Sequence, residues 1–259
     1  MIDTNSVHFI LSGGGARGFA HLGVVKAFQE IGIQPASYSG TSAGALAGAL
    51  LAAGYSPDYL LEFILKQGLS NYLRFAFNRM GLFSMEKVKQ ILKELIPHNR
   101  FEHLATPLYV CATNLSKGQA VYFHEGELIK PIVASCCLPG IFEPISIQGK
   151  TYVDGGVLNN LPVEPVLDKP GLKIAVNVTP RVDHLPIKTA KDVLMKTFYL
   201  SISQQSEKQA QKCDWVIEPK EIIHFEGLSL KNAREVFALG YQYGIRYRDQ
   251  IVHLVDNPV

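Results

Sequence analysis

A serine in a glycine-bounded turn is the first feature of this chain with a spacing typical of chemistry. Residues 40–44 read G-T-S-A-G and fit G-x-S-x-G, the sharp strand-to-helix turn that exposes a nucleophilic serine. Gly40 and Gly44 relieve crowding where the backbone folds back on itself. The pattern makes Ser42 a candidate nucleophile and the N–H of Ala43 a candidate oxyanion donor. As an alternative, Ser42 serves only as the N-cap of the following helix, a common role for serine.

A second glycine-rich turn lies closer to the N-terminus. It follows an apolar run at residues 7–11 and opens a stretch with helical spacing. Successive backbone N–H groups at such a turn carry positive partial charge, which an acyl-transfer enzyme uses to stabilise the oxyanion of its tetrahedral intermediate. Arg17 in this turn is expected to lie at the surface and order the loop, which is favoured over contact with a negative substrate group. The turn consists of Gly13, Gly14, Gly15, Ala16, Arg17 and Gly18.

The same six residues also satisfy G-x-G-x-x-G, the pattern of a dinucleotide-binding turn between a strand and a helix. Such a site needs an Asp or Glu near the end of the second strand to hold the ribose hydroxyls. Here that strand ends in S-G-T-S at residues 39–42, and Glu30 comes too early. A nucleotide-dependent oxidoreductase that binds NAD or NADP at this turn is therefore an alternative that the missing carboxylate disfavours.

A serine nucleophile requires a base, and the sequence points to an aspartate. None of the eight histidines follows the serine in a motif-like context, although the usual hydrolase order places one there. Asp154 instead ends a strand-like run and is followed by Gly155 and Gly156. A carboxylate in that position can be aimed into a cleft, although an ordinary Asp-Gly turn is the common context for these residues.

Strand-like and helical stretches alternate around these turns. The clearest strands are at residues 7–11, 36–39, 108–114 and 173–178, and helical spacing is seen at residues 17–31, 43–53, 187–213 and 230–255. The alternation predicts an α/β fold with a mostly parallel sheet covered by helices on both faces. No repeat or low-complexity linker interrupts it, so residues 1–259 are predicted to form one domain.

Composition excludes several classes of protein. Of the 259 residues, 47% are apolar and 19% charged, with a net charge of +2 and no basic run, which argues against disorder and against nucleic-acid binding. The four cysteines form no C-x-x-C pair, so neither a disulfide framework nor a zinc site is expected. A reducing compartment is expected instead. No signal peptide and no membrane-spanning run of about 20 residues is recognised.

Taken together, the three turns resemble the patatin-like phospholipase family. The resemblance rests on G-G-G-A-R-G, G-T-S-A-G and D-G-G in this order, and extends to A-S-C-C-L-P-G-I-F at residues 134–142 and V-D-G-G-V-L-N-N-L-P at residues 153–162. It implies a three-layer α/β/α sandwich and a catalytic Ser42–Asp154 dyad without a histidine. It also implies an oxyanion hole formed by the N–H groups of Gly14, Gly15 and Ala16, with that of Ala43 nearby.

The resemblance implies an enzyme that cleaves carboxyl ester bonds of lipids through an acyl-enzyme, with no metal and no organic cofactor. Phospholipids, lysophospholipids and soluble acyl esters all fit as substrates. The expected setting is the cytoplasm, including the inner surface of the membrane. There, the aromatic and basic stretch at residues 71–83 is either a lid that contacts lipid or a cap packed on the core. A non-catalytic interaction protein with the same fold is a third hypothesis, and the oligomeric state is left open.

Overall fold

The computed structural model of the chain describes residues 6–67, 74–75, 83–181, 187–227 and 229–256. In these ranges strands and helices alternate along most of the chain. The strands are β1 (Val7–Leu11), β2 (Pro35–Thr41), β3 (Arg74–Phe75), β4 (Phe83–Ser84), β5 (Leu108–Asn114), β6 (Gln119–Phe123), β7 (Ile145–Ile147), β8 (Lys150–Asp154), β9 (Leu172–Val176) and β10 (Trp215–Ile217). The helices are α1 (Phe19–Gln29), α2 (Ala43–Ala52), α3 (Pro57–Gln67), α4 (Glu86–Leu95), α5 (Ile129–Ser135), α6 (Ala190–Ala210) and α7 (Ala233–Asp256).

Eight of the strands form one sheet with the order β10-β9-β1-β2-β5-β8-β7, and β6 also pairs with β5. The pairs from β10 to β5 are parallel, whereas β8 pairs antiparallel with both β5 and β7. In this register β1 and β2 end side by side at one edge, where both glycine-containing turns begin. The antiparallel direction of β8 is set by its hairpin with β7, whose turn carries Gly149 in a left-handed conformation.

Both faces of the sheet are covered, which explains why every residue of β1 is buried. Phe9 and Leu11 pack on one face, beneath α1, α2 and α7, while Ile10 packs on the other with Leu161 and Val166. The second face is covered by the segment that follows β8 and by the end of α6. The predicted three-layer α/β/α architecture with a mostly parallel sheet is therefore confirmed.

Helix positions agree with the sequence predictions to within a few residues. The ends of α6 and α7 differ by up to three residues from the predicted ranges 187–213 and 230–255. Apart from the short strands β3 and β4, the stretch at residues 71–83, predicted as a lid or a cap, lies outside the described residues. In the part of the chain that is described, no helix is both long and apolar enough to cross a membrane.

The C-terminal helix is held against the first helix by close backbone contact. A Cβ atom at Gly240 of α7 would lie 2.2 Å from the carbonyl oxygen of Ala20, and one at Gly23 of α1 would lie 2.1 Å from that of Phe237. Only glycine allows the two helices to approach this closely. The packing fixes α7 and, with it, the chain segment that precedes α7.

Replacement of Gly240 by alanine is expected to destabilise the protein. The added methyl group would force α7 away from α1, at a cost of about 1–3 kcal/mol in the free energy of unfolding. Urea unfolding measures this difference. The control is Gly48→Ala in α2, where the nearest atoms to a Cβ are side-chain carbons at 3.2 Å and 3.3 Å, apart from the helix itself. Equal stability of wild type and Gly240→Ala would contradict the contact.

Candidate active site

Ser42 occupies a strained turn between β2 and α2. Its φ of 52° is unusual for a residue with a side chain, and its N–H donates to the Ser135 hydroxyl at 2.8 Å. A Cβ at Gly44 would lie 2.1 Å from the Leu11 carbonyl oxygen, so this position requires glycine. The Ser42 hydroxyl makes no capping hydrogen bond to α2. The N-cap interpretation therefore does not account for this serine.

Asp154 lies at the end of β8 and is almost completely removed from water, with 4% of its surface exposed. Its Oδ1 accepts a hydrogen bond from the Gly156 N–H at 2.8 Å, which makes the Asp-Gly-Gly segment a tight turn around the carboxylate. Burial raises the pKa of Asp154 to about 6, against the smaller opposing effects of the Gly156 N–H and the Ser42 hydroxyl. The group is thus a stronger base than an ordinary aspartate.

The fold brings Ser42 and Asp154 together from opposite sides of β5. The Ser42 hydroxyl is close enough to lower the pKa of the Asp154 carboxyl as a hydrogen-bond donor does. These two described side chains do not form a direct hydrogen bond of standard geometry, which is common for a catalytic pair before substrate binds. The hydroxyl also interacts with the thiol of Cys136, which belongs to the motif at residues 134–142 but was not predicted as a site residue.

The glycine-rich turn adjoins the serine turn, but only some of its N–H groups are free. A Cβ at Gly18 would lie 2.8 Å from that of Ala43. The Ala16 N–H already donates to the Gly227 carbonyl at 2.7 Å, so the expectation that it serves as an oxyanion donor is wrong for this conformation. Among the described residues, the N–H groups of Gly14, Gly15 and Ala43 have no such acceptor. The group at Ala43 is free because it opens α2.

Asn160 ties the glycine-rich turn to the aspartate turn. Its carbonyl accepts from the Gly13 N–H at 3.1 Å, and its side-chain oxygen lies within 3.1 Å of the positions that Cβ atoms would occupy at Gly13 and Gly156. Its amide nitrogen donates to the hydroxyls of Thr179 and Ser206. Asn160 was part of a motif in the sequence, but its bridging contacts depend on the fold.

The remaining motif residues support the turns in different ways. Gly155 lies against β5, since a Cβ there would be 2.4 Å from the Cys111 carbonyl, and a Cβ at Gly40 would be 2.5 Å from the backbone of Gly44. Arg17, expected at the surface, is 8% exposed and buried behind the glycine-rich turn. That expectation is wrong because residues far along the chain cover the guanidinium.

Among the described side chains, neither a histidine base nor a metal site lies at the serine. His21 is fully buried with Nε2 2.8 Å from the Ser12 carbonyl, and burial lowers its pKa to about 4. None of the histidines whose side chains are described forms a hydrogen bond to Ser42 or Asp154. Those histidines are His8, His21, His98, His103, His124 and His224. In the described ranges, no three His, Cys, Asp or Glu side chains cluster in a way that could hold a metal ion.

Comparison with known proteins supports the family resemblance of the sequence. The sequence profile described as "Patatin-like phospholipase" matches residues 9–167. An uncharacterized NTE family protein of Mycobacterium tuberculosis is 31% identical over 162 residues, which are 62% of this chain and 45% of the relative. The lysophospholipase nte1 of Emericella nidulans is 32% identical over 164 residues, covering 61% of this chain and 11% of that protein.

A solved structure extends the similarity to the fold of nearly the whole chain. VipD from Legionella pneumophila superposes with a TM-score of 0.54 at 15% identity, covering 94% of this chain and 66% of VipD. At that identity the likeness concerns the fold alone. The chain spans less than half the length of the mycobacterial relative, so the activity of the relatives as whole proteins is not transferred with the match.

The buried carboxylate is expected to cost stability at neutral pH. Because the folded pKa of Asp154, about 6, exceeds the ordinary value of 3.8, the folded state binds more protons between these values and is destabilised as pH rises through 6. Asp154→Asn keeps the acceptor for Gly156 and cannot ionise. The free energy of unfolding of this variant minus that of wild type should be about 2 kcal/mol larger at pH 8 than at pH 4.5.

Urea unfolding at the two pH values measures this difference. The matched control is Asp168→Asn, at an exposed position. Its difference in unfolding free energy from wild type should be nearly the same at both pH values. A pH-independent effect of Asp154→Asn would show that the carboxyl is not buried in the way described.

Proposed function

The chain belongs to the patatin-like phospholipase family, and from that premise we propose that it is a serine acyl hydrolase acting on carboxyl esters of phospholipids, lysophospholipids or related acyl esters. Membership of this family supports lipid hydrolysis as the general class of activity. The observation that carries the proposal is one juxtaposition: a serine held at a φ of 52°, a buried carboxylate with a pKa raised to about 6, and free N–H groups beside them.

In the proposed first step, the Ser42 oxygen attacks the carbonyl carbon of the ester while Asp154 takes the hydroxyl proton. The carbonyl π electrons move to oxygen, and the resulting oxyanion is stabilised by the N–H groups of Gly14, Gly15 and Ala43. When the tetrahedral intermediate collapses, the alcohol portion of the lipid leaves with the proton from Asp154. The acyl group stays on Ser42 as an ester.

In the second step a water molecule replaces the alcohol. Asp154 takes a proton from the water as its oxygen attacks the acyl-enzyme, and the same N–H groups stabilise the second oxyanion. Collapse returns the proton to Ser42 and releases the fatty acid. The raised pKa matters for both steps, because a base of ordinary aspartate strength accepts a proton from an alcohol far less readily.

The lipid nature of the substrate is supported by the names of relatives, among them a lysophospholipase. Transient contact with a membrane surface through residues 71–83, and a cytoplasmic setting, remain predictions. No metal or organic cofactor takes part in the proposed steps.

Two alternatives are less well supported. A dinucleotide at residues 13–18 would bring its phosphates to the turn where the Gly227 carbonyl already accepts the Ala16 N–H. A non-catalytic role would leave the strain at Ser42 and the burial of Asp154 without a purpose.

Loss of the serine or the aspartate should abolish ester turnover. With p-nitrophenyl esters of graded chain length and a lysophospholipid, Ser42→Ala should lower kcat by at least about 10³-fold and Asp154→Asn by about 10²–10⁴-fold. A fluorophosphonate probe should label wild type and not Ser42→Ala. The matched controls are Ser116→Ala and Asp168→Asn, both at exposed positions. Full turnover in Ser42→Ala would refute the proposal.

The pH dependence should report the aspartate. Because only the ionised carboxylate accepts the proton, kcat/KM should rise about tenfold per pH unit below pH 6 and level off above it. Initial rates on a soluble ester between pH 4.5 and 8.5 measure this profile. A midpoint near pH 8 would indicate a different base.

A further inference from the structure

The buried arginine of the glycine-rich turn is held by residues from the last third of the chain. Arg17 Nε donates to the Phe225 carbonyl at 2.9 Å, and its two terminal nitrogens donate to the Tyr199 hydroxyl at 3.0 Å and the Ile223 carbonyl at 3.4 Å. The guanidinium also lies 5.4 Å from the centre of the Tyr199 ring. The Tyr199 hydroxyl donates in turn to the Pro180 carbonyl at 2.7 Å. Arg17 therefore connects the turn directly to α6 and to the segment 223–225, and through Tyr199 to Pro180.

No carboxylate of the described residues pairs with this guanidinium. Burial of a charge with neutral partners alone costs free energy, so packing by itself does not favour an arginine here. Its planar fork of donors, aimed in different directions, is suited to holding several acceptors in one geometry.

The same C-terminal segment contacts the turn a second time, through its backbone. The Gly227 carbonyl accepts the Ala16 N–H at 2.7 Å, and a Cβ at Gly15 would lie 2.1 Å from that oxygen. Gly15 is left-handed, with a φ of 58°, so glycine is required here for both conformation and space. The bond at Ala16 sets the plane of the peptide between Gly15 and Ala16, next to the free N–H groups.

We propose that the clamp formed by Arg17, Tyr199 and the carbonyls of Ile223, Phe225 and Gly227 positions the N–H groups of Gly14 and Gly15 for the developing oxyanion. This inference rests on the proposed function and assigns Arg17 as a positioning residue. Three consecutive glycines have more backbone freedom than any other tripeptide, whereas oxyanion stabilisation depends on donors that are already in place. The clamp removes that freedom from outside the turn.

The inference also gives the C-terminal third of the chain a role in the site. The family profile ends at residue 167, whereas the clamp uses residues 199 and 223–227. The segment 223–227 leads into α7, which is fixed on α1 by the contact at Gly240. The segment that completes the clamp thus precedes a helix that contributes no proposed catalytic residue.

Kinetics on a soluble p-nitrophenyl ester test the clamp with a graded series of variants. Arg17→Met should lower kcat by about 10²-fold with little change in KM, because the donors act on the transition state and not on the bound ester. Arg17→Lys, which keeps the charge and loses the fork, should lower kcat by about tenfold. Tyr199→Phe keeps the ring and should cost a few-fold. Fluorophosphonate labelling should slow by the same factors.

The matched control is Arg248→Met. The Arg248 side chain is 17% exposed and donates to the Ala27 carbonyl at 2.7 Å, so it clamps α7 to α1 without contact with the turn. This variant should lose stability and keep its kcat within twofold. An unchanged kcat in folded Arg17→Met, an equal loss in Arg248→Met, or a loss confined to KM would overturn the inference.

Amide hydrogen exchange provides a second test that does not depend on turnover. Protection of the Ala16 amide, which donates to Gly227, should fall at least tenfold in Arg17→Met and in Arg17→Lys but not in Arg248→Met. Unchanged protection would overturn the clamp. If wild type shows no Ser42-dependent turnover, the proposed function fails, while hydrogen exchange still decides whether Arg17 holds the turn.

Discussion

The site depends on a carboxylate that the fold has removed from water. The carboxylate of Asp154 accepts a hydrogen bond from the Gly156 N–H, and its burial raises its pKa to about 6. The sheet makes this position available, since β8 runs antiparallel to β5 and ends beside the turn that follows β2. A serine and a carboxylate that lie more than a hundred residues apart in the chain thus become neighbours.

The arrangement is held by close packing around unfavourable local features. Ser42 has a backbone conformation that favours glycine, and its N–H is held by the Ser135 hydroxyl. The small residues of α2 let that helix lie directly on the sheet, with Gly44 against the Leu11 carbonyl. Strain and buried charge persist only where the surroundings determine them strongly. Here the surroundings include backbone atoms, such as the Leu11 carbonyl, which cannot rotate away as a side chain can.

The two turns nearest the serine differ in how they are kept rigid. The aspartate turn is ordered by its own backbone and by Asn160, which hydrogen bonds to Thr179 and Ser206. The glycine-rich turn is ordered by Arg17 and by the segment at residues 223–227. Both turns are held by residues that follow β9 in the chain. The C-terminal third is accordingly part of the architecture of the site, although it lies outside the matched family region.

Sequence alone determined the features that are local. The strand-to-helix turns follow from spacing and glycine positions, because each depends on a few neighbouring residues. The alternation of strands and helices and the family resemblance predict the three-layer fold, and the choice of Asp154 over a histidine as the base stays a prediction. Tertiary structure decided which backbone N–H groups and side chains remain free to contact a substrate. The Ala16 N–H is used by a carbonyl more than two hundred residues away, and Arg17 is buried by Tyr199 and Phe225. Periodicity carries no information about such contacts, because they arise only when distant segments pack together.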